Sequence, residues 1–117
     1  MIPRTVCLTV DAEPDCPPYL RGWRGMEEGA PALLDLFREN EVPATFFTTG
    51  DAARRYPGFV ERVVADGHEL ASHGMTHRPF PTLSAAEAET EIRETSALLR
   101  DYAPVTAFRA PNLRMPD

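Results

Sequence analysis

The chain has 117 residues, enough for one domain or a piece of one, and with 43% hydrophobic and 26% charged residues its composition is globular. The net charge is −6 and the basic residues, all arginines, are scattered, which argues against a basic face for a phosphate backbone. No apolar run approaches the ~20 residues of a membrane span, and no basic-then-apolar leader opens the chain. The expectation is therefore a cytoplasmic protein with no nucleic-acid or membrane partner.

Residues 5–11 (TVCLTVD) are β-branched and apolar and end on an acid, which predicts a strand buried on both faces. Residues 12–27 hold Pro14, Pro17, Pro18, Gly22 and Gly25 and read as a long loop, of the length that usually has a function or is disordered. Residues 30–40 place Leu33, Leu34, Leu36 and Phe37 at helical spacing, with Pro31 in the first turn and Asn40 at the end. Residues 43–49 (PATFFTT) predict a second strand. Asp51 then suits the cap of a short helix stopping before Pro57, and residues 57–66 a further helix stopped by Gly67. Residues 68–73 predict a third strand. Ser84 and Glu87 form a capping box for a long helix reaching about Tyr102, with Ile92, Thr95, Leu98 and Leu99 inside. Residues 105–109 (VTAFR) predict a fourth strand. Strands alternating with helices imply an α/β fold with a parallel sheet.

Asp11, Ser72-His73 and Arg109 fall at the C-terminal ends of three predicted strands, the edge where parallel α/β folds place their chemistry. Alternation along an extended chain puts Asp11 and Glu13 on one side, with Asp15 joining them only if extension continues past Pro14. Two acids on one face repel unless a cation lies between them or one holds a proton; solvated loop acids are the alternative. His73 and His77 have the i,i+4 spacing of a two-histidine metal clamp, although Gly74 points to a tight turn off the strand rather than a helix. Neutral imidazoles with a carboxylate suit zinc or a similar divalent ion. Arg109 is either a rim cation or the fixed partner of a carboxylate, which its fork can hold bidentately. His68 reads as structural. Tyr19 and Trp23 either pin the long loop or offer a sugar a stacking surface. Cys7 reads as a buried thiol and Cys16 as a loop thiol near enough to be a further ligand; the two do not make a disulfide framework.

Taken in order, LTVDAEPD, PATFFTTG, DGHELASHGMTH and FRAP resemble the polysaccharide deacetylases, the NodB-like family also called carbohydrate esterase family four. The resemblance runs from about residue 5 to 114. It implies a distorted (β/α) barrel with fewer than eight strands, and removal of acetyl groups from N-acetylated or O-acetylated sugars with a divalent ion, usually zinc. It maps the catalytic base onto Asp11, the metal-ligand pair onto His73 and His77, and the arginine that holds the base onto Arg109, with Pro111 shaping the turn.

The sequence departs from the family at two points. The common opening motif has adjacent acids, whereas Ala12 follows Asp11 here, so the metal carboxylate is Glu13 or Asp15, and alternation favours Glu13. The family's later motifs, including a histidine general acid, have no counterpart before Asp117. A β/α barrel takes ~250 residues, so the expectation is a partial barrel of about four strands. On this reading residues 1–117 are the N-terminal portion of a polysaccharide deacetylase (NodB homology) domain acting on an acetylated carbohydrate. The rivals are a related amidase for a small cyclic amide or ureide, and a truncated non-catalytic metal-binding module.

Overall fold

The computed structural model describes residues 2–117. Three short strands, β1 (Thr9–Ala12), β2 (Thr45–Thr48) and β3 (Glu69–Ser72), form a parallel sheet in the order β1-β2-β3. The register pairs Thr9 with Thr45 and Thr45 with Glu69, and likewise Asp11 with Phe47 and Phe47 with Ala71. In-register residues share a face. One face therefore carries Thr9, Asp11, Phe47 and Ala71, and the other Val10, Phe46 and Leu70. The second face holds the core. Phe46 and Leu70 pack there with Leu34, Val60, Val63, Leu99 and Val105, all buried. Burying each side chain of this size stabilises by roughly 1.5–3 kcal/mol.

The helices that cover this face have local causes. α1 (Ala30–Glu39) carries Pro31 in its first turn and buries Leu34, while Leu36, expected inside, is 53% exposed. α2 (Gly50–Arg55) is capped by Thr49, whose hydroxyl accepts from the Ala52 N–H. The sequence pointed to Asp51 as this cap; the cap lies two residues earlier, so Asp51 sits in the first turn instead. Pro57 opens α3 (Pro57–Ala65). α4 (Ala85–Arg100) has both halves of the Ser84–Glu87 capping box, worth about 0.5–2 kcal/mol for the serine.

Three expectations fail for physical reasons. The strand predicted over residues 5–11 is not buried on both faces: it forms only from Thr9, with Val6 and Cys7 exposed before it, and within β1 Thr9 and Asp11 are exposed on an edge strand with a neighbour on one side only. The predicted fourth strand is a single parallel bridge between Ser72 and Phe108, made by Ser72 N–H to the Ala107 carbonyl and Arg109 N–H to the Ser72 carbonyl. Past Arg109 the next N–H in this alternation would come from residue 111, and Pro111 has none, so the ladder stops there. Finally, the loop assigned to residues 12–27 becomes helical at Arg24. A π-helical turn (Gly25–Gly29) runs into α1, and the Asp15 carboxylate caps it by accepting from the Arg24 and Gly25 N–H groups at 2.7 and 2.8 Å. Glycines that signalled a loop allow this approach: a Cβ on Gly25 would lie 3.0 Å from Asp15 Oδ1.

His68, buried at the start of β3, packs against the rings of Phe37 and Phe46, and its Nδ1 accepts from the Ala44 N–H at 3.1 Å. Burial lowers its pKa below the usual 6.5. The unfolded chain therefore binds this proton more readily, and stability that is full above about pH 6.5 falls as pH drops below it. His68→Gln keeps an acceptor for Ala44 without titrating. Melting temperature followed from pH 7.5 to 5 should fall more steeply in the wild type than in His68→Gln; parallel curves would contradict this.

Candidate metal centre

The strand ends bring Glu13, His73 and His77 together. Glu13 follows β1 on the side that Asp11 faces, and His73 follows β3, its N–H bonded to the Thr48 carbonyl at 3.1 Å. Gly74 then adopts a left-handed φ of 76° and the chain doubles back without a helical turn. This places the His77 ring 5.2 Å from that of His73, centroid to centroid. The two rings are 1% and 5% exposed. Glu13 Oε2 lies 2.9 Å from His73 Nε2 and 2.5 Å from His77 Nε2. One donor atom from each of the three residues lies within 4.8 Å of the others.

The proton positions make this cluster unusual. His73 Nδ1 is 2.7 Å from the Arg109 carbonyl oxygen. A carbonyl only accepts, so Nδ1 carries the hydrogen and Nε2 of the neutral ring presents a lone pair. That lone pair faces a carboxylate oxygen. His77 Nε2 is buried and, though close to the Glu13 oxygen, is left without a settled hydrogen-bond partner. Burial raises the Glu13 pKa, and the two rings outweigh burial and hold it down at about 2 only when they are protonated, donating to it and carrying charge; neutral rings leave the carboxylate beside nitrogens that do not stabilise it. Two imidazole nitrogens and a carboxylate turned toward one point are compensated by a cation there, and this N₂O donor set suits zinc. Tetrahedral zinc with bonds of about 2.0–2.1 Å separates its ligand atoms by about 3.3 Å, so Glu13 would have to move apart from both rings, most from His77, to accept it.

Asp11 stands beside the cluster. Its Oδ2 is 3.8 Å from His73 Nε2, and its Oδ1 accepts from Arg109 Nη1 at 2.8 Å. The bidentate fork expected for Arg109 does not form. Nη1 is shared between Asp11 and the Thr9 hydroxyl at 3.1 Å, and the guanidinium lies over the Phe47 ring at 4.1 Å from its centroid. Asp15, the other candidate carboxylate, is committed to the Arg24 and Gly25 N–H groups. Cys16 is an exposed free thiol outside the cluster. Trp23 packs at 5.8 Å against Tyr56, with the Arg55 guanidinium over its ring, which pins the loop; Tyr19 is 85% exposed.

Sequence reasoning missed the groups that hold the histidine loop. The N–H groups of Gly50 and Asp51 donate to the Gly74 and Met75 carbonyls at 3.0 Å each. From the other side the buried Glu91 accepts from the Met75 and Thr76 N–H groups. Gly50 offered a signal as a glycine opening a helix, but Glu91 sits in a charged helix and offered none.

A family model described as polysaccharide deacetylase matches residues 1–117. A chitooligosaccharide deacetylase from Rhizobium leguminosarum bv. trifolii is 35% identical over 106 residues, covering 91% of this chain and 44% of the relative. A peptidoglycan-N-acetylglucosamine deacetylase from Bacillus cereus is 30% identical over 102 residues, covering 85% of this chain and 33% of the relative. The chain thus spans less than half the length of these curated relatives. The fold is similar to a solved carbohydrate esterase family four pseudoenzyme from Bacillus anthracis, with a TM-score of 0.78 and 24% identity over 95% of this chain and 36% of that one.

A Cβ on Gly50 would meet Met75 Sδ at 2.0 Å. Gly50→Ala should cost about 1–3 kcal/mol, read as a lower melting temperature, and trimming the contact with Met75→Ala in the same chain should recover part of the loss. A double variant whose cost equals the sum of the two singles would show that the contact is not responsible.

Proposed function

The chain belongs to the polysaccharide deacetylase family, and on that premise we propose that residues 1–117 are the N-terminal portion of a NodB homology domain whose activity is metal-assisted removal of acetyl groups from sugars. The substrate is an N-acetylated (or O-acetylated) polysaccharide or peptidoglycan. The observation that carries the reading is the turning of two buried Nε2 atoms and the Glu13 carboxylate toward one point, beside an acid held by an arginine. Fold likeness alone does not give an activity.

In this reading Glu13, His73 and His77 hold a divalent ion, with zinc favoured by the donor set. When bound, such an ion polarises a carbonyl oxygen and makes water more acidic. Asp11 is the general base. Its Oδ1 is taken by Arg109, which leaves Oδ2, on the His73 side, to accept a proton from the attacking water. Arg109 positions that carboxylate from above Phe47, and its main-chain oxygen fixes the His73 tautomer. The departing amine needs a proton donor that none of these residues supplies. We place that donor, and the strands that would cover the β1 edge and complete a (β/α) barrel, in the additional length that the relatives have.

The missing proton donor favours one other reading, a non-catalytic metal-binding module, and acetate release separates the two. The protein extended to the length of its relatives should release acetate from a chitooligosaccharide and hold about one divalent ion per chain. His77→Ala should lose the ion and nearly all activity. Asp11→Asn should keep the ion and lose about 10²–10⁴-fold in rate. Full activity in His77→Ala would sink the metal reading, and a small ureide turned over in place of the oligosaccharide would reassign the substrate.

A further inference from the structure

The segment Gly74–Thr76 between the two histidines belongs to no helix or strand, yet its main chain is well paired. The N-terminus of α2 takes the Gly74 and Met75 carbonyls. The Glu91 carboxylate takes the donors on the other side. Its Oε2 accepts from the Met75 N–H at 2.6 Å and the Thr76 N–H at 3.0 Å, and its Oε1 accepts from the Thr76 hydroxyl at 2.6 Å. Glu91 is 7% exposed on α4, among helix positions where an apolar residue would ordinarily pack.

These bonds stop one residue short of His77, which has a φ of 62°. A left-handed backbone costs a non-glycine residue roughly 1–3 kcal/mol and persists only when the surroundings fix it. Gly74, also left-handed, can adopt its conformation freely. His77 cannot, and Glu91 with the α2 N–H groups is what lies around the loop to hold it. Glutamine could keep all three bonds, its oxygen accepting from the two N–H groups and its N–H₂ donating to the Thr76 hydroxyl, whereas methionine has a similar length and offers no such acceptor.

We infer that Glu91 is a positioning residue for the metal site: through three hydrogen bonds to Met75 and Thr76 it fixes the His77 imidazole where it can share an ion with His73 and Glu13. The inference rests on the metal reading above. Without Glu91 the loop relaxes toward a right-handed backbone at residue 77, and the ring leaves the other two ligands. A folded chain then binds the ion more weakly although all three ligands are intact.

The test is Zn²⁺ affinity, measured by competition with a chromophoric chelator, for the purified wild type, Glu91→Met and Thr76→Val, with the melting temperature of each metal-free protein taken beside it. Glu91→Met should bind Zn²⁺ about 10–100-fold more weakly at a temperature where it is fully folded. Thr76→Val loses one of the three bonds and should fall between it and wild type. A purely structural role would lower the melting temperature and leave the affinity of folded protein within about twofold of wild type, and that result overturns the inference alone. A wild type that binds no Zn²⁺ overturns the metal reading and the inference with it. Should Glu91→Met fail to fold, Thr76→Val decides: weaker binding supports the inference and unchanged binding overturns it.

Discussion

Two imidazole rings, 1% and 5% exposed, turn their Nε2 atoms toward one oxygen of Glu13. Most of what is distinctive in this chain follows from that arrangement. Polar atoms taken out of water need partners. Here one nitrogen presents a lone pair and the other has no hydrogen bond. A bound cation satisfies all three groups at once. The sheet serves this arrangement: parallel strands in register bring Glu13 and His73 to the same edge, past the ends of β1 and β3.

Arg109 links the parts. Its main-chain N–H bonds the Ser72 carbonyl, its carbonyl accepts from His73 Nδ1, and its guanidinium reaches across Phe47 to Asp11 and Thr9. Acid and histidine are therefore oriented by the same residue. The single bridge at Phe108 is enough for this, since one pair of ladder bonds fixes the residue on either side of it. An arginine-to-lysine change would leave the His73 contact, which is main chain, and disturb the Asp11 contact, so the two functions of this residue are separable in principle.

The alternation argument placed Asp11 and Glu13 on one side of the chain, and the β1 register has Asp11 on the face opposite the core. Gly74 signalled a turn rather than a helix, and the chain does turn there with a positive φ. The helices read well because α1, α3 and α4 carry their own start signals, Pro31, Pro57 and the Ser84–Glu87 box. What was not legible depends on contacts distant in sequence. Asp15 caps a helix ten residues on, so glycines that permit a close approach passed for loop. Glu91 is buried because the loop of another element needs an acceptor, and nothing in a charged helix announces that. The fourth strand rests on β propensity alone, whereas a ladder continued past Arg109 needs an N–H that Pro111 lacks.

Zn²⁺ soaked into crystals of the protein and located by its anomalous signal tests the central claim most directly. The account requires one ion about 2.0–2.1 Å from the Nε2 atoms of His73 and His77 and from a Glu13 carboxylate oxygen, with the Asp15 carboxylate still on the Arg24 and Gly25 N–H groups. An ion held by Asp15 or Cys16, or none at this cluster in crystals soaked to saturation, would contradict it.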